Sequence, residues 1–245
     1  METNQEQNQE YPQQRGSALI YVLIAIVLFA ALSFSLGRQT DSNEASALSD
    51  EKVELYATQI ISTASQIKST IDQMLFSGAD ASELDFQYPP NDTGTLIYKV
   101  YHPHGGGLNR PNLPSEVIAS TSTNPVPGWY LGRFNNVDWT PLAAGNTAGV
   151  GGAEAPYEEI ILTAYGINAA VCANINEKIT GSPSIPVMTN SIKNVMIDEA
   201  FHTGTNVELT TGTGNICVQC ENMSSLCVEN AAQDTYAFYT IIADQ

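Results

Sequence analysis

The 245-residue chain carries 9 Lys and Arg against 26 Asp and Glu, a formal net charge of −17. That balance excludes nucleic acid as a direct partner, because phosphate binding needs clustered cations, and it excludes a polybasic membrane-surface anchor. An apolar content of 43% excludes wholesale disorder, and the length suffices for one sizeable domain with extra segments.

The first sixteen residues, METNQEQNQEYPQQRG, are polar and rich in Gln. Between Arg15 and Arg38 then lie 22 residues without a charge, including SALIYVLIAIVLFAALSFSL from Ser17 to Leu36. As a helix rising 1.5 Å per residue this run spans roughly 33 Å, enough for a hydrocarbon core of about 30 Å. A secretory signal peptide has a shorter apolar core, of about 7–15 residues, and ends at a small-x-small site. The first Ala-x-Ala after Leu36, Ala45-Ser46-Ala47, lies nine residues beyond the apolar run instead of directly at its end, so a retained membrane helix over 17–37 is expected. Charge does not fix its orientation, with Arg15 on one side and Arg38 and Lys52 on the other. The cysteines favour an oxidising location for the C-terminal side, which puts the N-terminus inside and the rest outside.

Residues 38–78 read as a weakly helical linker followed by an amphipathic helix. Ser49 suits an N-cap, with Asp50 and Glu51 in the first turn. Apolar residues then recur at Val53, Tyr56, Ile60, Ala64, Ile67, Ile71 and Met74, the spacing of a one-faced helix. The opposite face holds Gln59, Ser62, Gln66, Ser69 and Gln73, polar and uncharged, and suits contact with neighbouring protein as well as water. Ser77-Gly78 ends the helix.

From Ala79 to Gln245 the texture is short strands between turn residues. Strands are predicted at Leu96–Tyr101, Trp129–Phe134, Glu159–Tyr165, Asn194–Phe201, Val207–Thr210 and Ala237–Ala243. A short helix is predicted from Asn168 to Thr180, capped by Asn168, with Val171, Ile175 and Ile179 on one face. The fold class is α+β: a long N-terminal helix, half in the membrane and half amphipathic, packed on an antiparallel sheet domain spanning 79–245.

Candidate chemistry is sparse. Cys172, Cys217, Cys220 and Cys227 allow three pairings, which the sequence leaves open; two structural disulfides are expected. A redox role for Cys217-Val-Gln-Cys220 wants the first thiolate at a helix N-terminus, whereas the turn-forming TGTGN precedes it. A four-thiolate zinc site lacks a second Cys-x-x-Cys. His102-Pro103-His104-Gly105-Gly106-Gly107 has no acid between Asp92 and Glu116 to complete a metal set, and its glycines lack the Lys and following helix of a phosphate loop. Glu158-Glu159 and Asp198-Glu199 are adjacent, so on a strand they point to opposite faces and make poor acid–base partners; a solvated acidic surface is expected. His202 stands by itself near Phe201. No catalytic residue, metal or cofactor is expected.

A short polar leader ending in Arg15-Gly16, followed at once by Ser17-Ala18-Leu19-Ile20 and a long apolar run, resembles the prepilin signature of type IV pilins and pseudopilins. The order helix, sheet, C-terminal cysteines is similar to the pilin layout. The resemblance implies cleavage after Gly16 by a prepilin peptidase, N-methylation of Ser17, and assembly with other pilin or pseudopilin subunits through the apolar helix. It also implies a disulfide closing the C-terminal region. The fifth mature position, usually Glu in the family, is Tyr21; a missing carboxylate fits an initiating or capping subunit. The implied function is a minor subunit of a type IV pilus or type II secretion pseudopilus. It starts in the inner membrane with its C-terminal domain periplasmic or, in a filament, extracellular. The competing expectation is a single-pass anchored periplasmic protein that binds a ligand or partner and never polymerises.

Overall fold

The structure is a computed structural model that describes residues 20–30, 48–89, 93–135, 159–189, 191–197, 217–230 and 235–244. The chain divides into two units, 1–47 and 48–245. In the first, residues 20–30 are helical and all exposed. Among the described residues no helix is long and apolar enough to cross a membrane. Gly16, Ser17 and the remainder of the apolar run lie outside the described residues, as does the linker 38–47.

The second unit opens with helix α1, Asp50–Phe76. The expected stripe is its buried face: Val53, Ile60, Ala64, Ile67, Ile71 and Met74 are buried together with Ala57. Tyr56 is half-buried at the margin. Ser49 occupies the N-cap position in extended conformation, but its side chain makes no capping bond. Asp50 and Glu51 in the first turn supply the charge complementarity instead. The chain leaves the helix through Ser77 and Gly78, whose φ of 100° is a conformation that glycine adopts without steric cost.

Five strands form one sheet in the order β1-β2-β5-β4-β3: β1 Gly128–Asn135, β2 Glu159–Ile167, β3 Val187–Met188, β4 Ser225–Asn230 and β5 Thr235–Asp244. All neighbours are antiparallel except β3 and β4, which are parallel. Helix α2, Ala169–Thr180, follows β2, and helix α3, Ile192–Met196, follows β3.

The sheet has a hydrophobic core on each face. One joins the α1 stripe and Val171, Cys172 and Ile175 of α2 to Leu131, Ile160, Leu162, Ala164, Cys227, Phe238 and Ile242. The other joins Ile192, Val195 and Met196 of α3, with Cys217 and Cys220, to Ile161, Tyr165, Leu226, Val228, Ala237 and Tyr239. Alternation along each strand divides its side chains between the two cores. At Gly166, with φ +81°, a register shift interrupts this alternation, and Ile167 joins the α1 core that the even-numbered residues of β2 face. A Cβ on Gly166 would come within 2.8 Å of Pro127, so glycine is required there on both counts.

Three of the predicted strands form: β1, β2 and β5. Leu96–Tyr101 is not a strand. Leu96–Tyr98 makes a 3₁₀ turn, and Lys99 only bridges to Asp85 because its ammonium bonds the Asp85 carboxylate, 2.6 Å away, inside the protein. Asn194–Phe201 is also corrected: residues 192–196 are helical, since Ile192, Val195 and Met196 recur at the helical interval and bury one side. Val207–Thr210 and residues 198–201 lie outside the described residues. Strands β3 and β4 are additions to the sequence-based expectation.

Candidate functional site

The four cysteines pair as Cys172–Cys227 and Cys217–Cys220. Each bridge belongs to one of the two cores, and all four residues are at most 1% exposed. The first joins α2 to β4 across 55 residues of sequence. Closing a loop of that length stabilises by about 4 kcal/mol in the chain-entropy account. The second spans a separation of three residues, for which the same relation gives about 2 kcal/mol. Cys217 stands at the N-cap of a 3₁₀ turn, Val218–Cys220, not of an α-helix, and no four-thiolate zinc site forms because every sulfur is already bonded.

Asn176, one turn after Cys172 on α2, completes the first clamp. Its Nδ2 donates to the Cys227 carbonyl at 2.8 Å and to the Ser184 carbonyl at 2.9 Å, and its Oδ1 accepts from the Cys227 N–H at 2.7 Å. The side chain thereby serves Cys227 as a neighbouring strand would, satisfying both backbone groups on the side of β4 away from β5. Helix α2 itself starts as expected: Asn168 accepts from the Ala170 N–H at 2.8 Å, and Val171 and Ile175 are buried. Ile179 is instead 37% exposed, at the rim of the core.

The exposed side of α1 is unusual for so acidic a chain. From Leu55 to Ile67 there is no charged residue. Leu55, Ser62, Ser69 and Phe76 fall on one line at steps of seven, all exposed, with Leu55 at 62% and Phe76 at 96%. Thr58, Gln59, Ser65, Gln66 and Gln73 flank them, also exposed. The hydroxyls of Thr58, Thr63, Ser65 and Thr70 donate to the carbonyls of Glu54, Gln59, Ile61 and Gln66 at 2.9–3.2 Å. Such back-bonding spends the hydroxyl protons inside the helix. The charges of this helix are gathered at its start and in the Lys68–Asp72 pair, while Lys178 of α2 reaches Glu54 at 3.1 Å.

The His102–Gly107 loop is internally packed, and its His104, Gly105 and Gly106 line a cleft together with Thr70, Gln73 and Met74 of α1. His102 Nδ1 accepts from the His104 N–H at 3.1 Å, and the two rings stack with centroids 5.4 Å apart. A Cβ on Gly105 would collide with the Lys99 carbonyl oxygen, and one on Gly106 would lie 2.5 Å from that of Val100 and 3.0 Å from the Thr70 side chain. Gly106 is therefore what lets this loop lie against α1, and Gly105 is what lets it close over the Leu96 and Lys99 carbonyls. Among the described residues no group of three or more His, Cys, Asp or Glu could hold a metal ion.

Nearby, Tyr88 and Tyr101 pack at 4.9 Å, Arg110 lies 4.3 Å over the Tyr88 ring, and the Tyr88 hydroxyl donates to the Trp129 carbonyl. Burial pushes the Tyr88 phenol up to about 12 against the opposing pull of Arg110, and burial likewise raises Tyr101 well above the ordinary phenol range. One acid departs from expectation: Glu159 is 1% exposed at the start of β2, not on a solvated surface. Its charge adds to burial in raising Tyr239. Glu158, Asp198, Glu199 and His202 lie outside the described residues.

Tyr21, at the position where the resemblance leads one to look for Glu, is 71% exposed on the helical run 20–30. No family model, curated protein or solved structure matches the chain.

Proposed function

We propose that the chain is a structural subunit, of the minor kind, of a type IV pilus or type II secretion pseudopilus. It is held in the inner membrane and then assembled through the apolar segment that starts at Ser17. The observation that carries this reading is the line Leu55, Ser62, Ser69 and Phe76 on the exposed side of α1, about 32 Å long at the helical rise and itself without a charge, with the mutually paired Lys68 and Asp72 at its edge. Copies of a chain with net charge −17 repel one another wherever their acids meet within a Debye length of about 8–10 Å. The neutral face avoids that repulsion. Its back-bonded hydroxyls lose little on leaving water, and Leu55 and Phe76 gain by doing so. A domain clamped by two disulfides also suits an oxidising space outside the cytoplasm.

Tyr21 favours one second reading, an anchored periplasmic protein that does not polymerise, because it brings no carboxylate to pair with the amine of a neighbouring subunit. Filaments sheared from cells separate the two. The filament reading expects the chain in the sheared fraction, and expects Ser62→Glu with Ser69→Glu, which extend the acidic repulsion onto the contact face, to remove it from that fraction. A chain found only in membranes, or a doubly substituted chain that enters filaments as the natural one does, rules the reading out.

A further inference from the structure

Asn222-Met223-Ser224 has the Asn-x-Ser pattern, with a residue other than proline in the middle, that marks an acceptor for N-linked glycans. The asparagine amide is the nucleophile, and a hydroxyl two residues on is required. The structure sets this triplet between the Cys217–Cys220 bridge and β4, with Asn222 and Ser224 exposed and Met223 partly buried against the α3-side core. Three hydrogen bonds hold the backbone of the triplet. Met223 N–H donates to the Cys220 carbonyl at 3.0 Å, the Met223 carbonyl accepts from the Tyr239 hydroxyl at 3.0 Å, and the Ser224 carbonyl accepts from Ile241 N–H at 2.8 Å. Asn222 itself holds a φ of 59°, a left-handed conformation that Asn tolerates better than most residues. The chain is thus fixed at the turn while the two side chains that the transfer requires stand in solvent.

We infer that Asn222 accepts an N-linked glycan from a lipid-pyrophosphate-linked oligosaccharide. Nδ2 forms the bond to the anomeric carbon, the bond from that carbon to the pyrophosphate oxygen breaks, the lipid pyrophosphate leaves with the electron pair, and one amide proton passes to a base of the transferring enzyme. No oxidant or reductant is involved. The inference rests on the C-terminal domain lying outside the cytoplasm, as in the proposed function. A second triplet, Asn91-Asp92-Thr93, falls partly outside the described residues.

The test is mass spectrometry of the full chain isolated from its native cells, digested after acidic residues. The peptide bearing Asn222 is expected to carry a saccharide mass in the natural chain and to lose it in both Asn222→Gln and Ser224→Ala. Ser224→Ala leaves the backbone bond to Ile241 in place. Unmodified Asn222 in the natural chain, or a saccharide that persists in Ser224→Ala, overturns the inference; if a variant fails to accumulate, the natural chain's spectrum decides it. The N-terminal peptide of the same digest reports on Ser17 separately. Bare Asn222 beside a processed N-terminus thus counts against the glycan and leaves the assembly reading standing.

Discussion

Replacing Asn176 by Ala removes three hydrogen bonds, but their losses are unequal. Ser184 is exposed, so water takes over its carbonyl. Cys227 is 0% exposed, so its N–H and C=O both become buried and unpaired. Each such group costs about 1–3 kcal/mol, and the expected loss is about 3–5 kcal/mol out of the 5–15 kcal/mol typical of a folded domain. Asn174, two residues earlier on α2, is the internal control. Its Oδ1 is buried with no hydrogen-bond partner, so Asn174→Ala deletes an unsatisfied group and should change stability by less than about 1 kcal/mol. Guanidinium unfolding of the full chain in mild detergent, followed by tryptophan fluorescence with Trp129 buried, measures both. Equal midpoints for the two variants would refute the role given to Asn176, because the disulfide and the helix are unchanged in each.

Three further outcomes follow from the same contacts. Removing the Cys172–Cys227 bridge by paired serine substitution should cost about 4 kcal/mol and removing Cys217–Cys220 about 2 kcal/mol, read as the difference in unfolding midpoints. Gly106→Ala should destabilise by about 1–3 kcal/mol because its Cβ meets the Val100 carbonyl. Gly128→Ala, whose Cβ meets nothing nearer than 3.7 Å, should fold normally in a thermal melt. In alkali, the phenol of Tyr88 is raised from 10.0 to about 12, so the folded state keeps a proton that the unfolded chain loses. That stabilisation is complete below pH 10 and is lost as pH rises from 10 towards 12. Absorbance at 295 nm should show exposed tyrosines ionising first, with Tyr88, Tyr101 and Tyr239 ionising only with unfolding.

Helices were the most legible part of the sequence. The α1 stripe and the Asn168 cap can be read from spacing and from one side chain's local bond, both short-range properties. β1, β2 and β5 announced themselves through runs of β-branched and aromatic residues. Strand β4 did not: Leu226-Cys227-Val228 is buried on both faces, so it shows no alternation, and it is held by Asn176 from 51 residues away. Residues 96–101 are mostly β-branched and aromatic, like a strand, but Lys99 turned inward to Asp85, a pairing that depends on the fold as a whole. The helical interval of Ile192, Val195 and Met196 was present in the sequence and was masked by the β-branched residues around it. Of the candidate site, the neutral face of α1 was visible as a list of residues, while the back-bonding of its hydroxyls needed coordinates. The disulfide pairing needed them too, since four cysteines specify no partner.

The claim that the chain joins a filament through a processed apolar N-terminus is tested most directly by the mass of that N-terminus in membrane-purified protein. The account predicts a first residue of Ser17 bearing one methyl group, with residues 1–16 removed. A chain that still begins at Met1, with Gly16 and Ser17 joined, contradicts it.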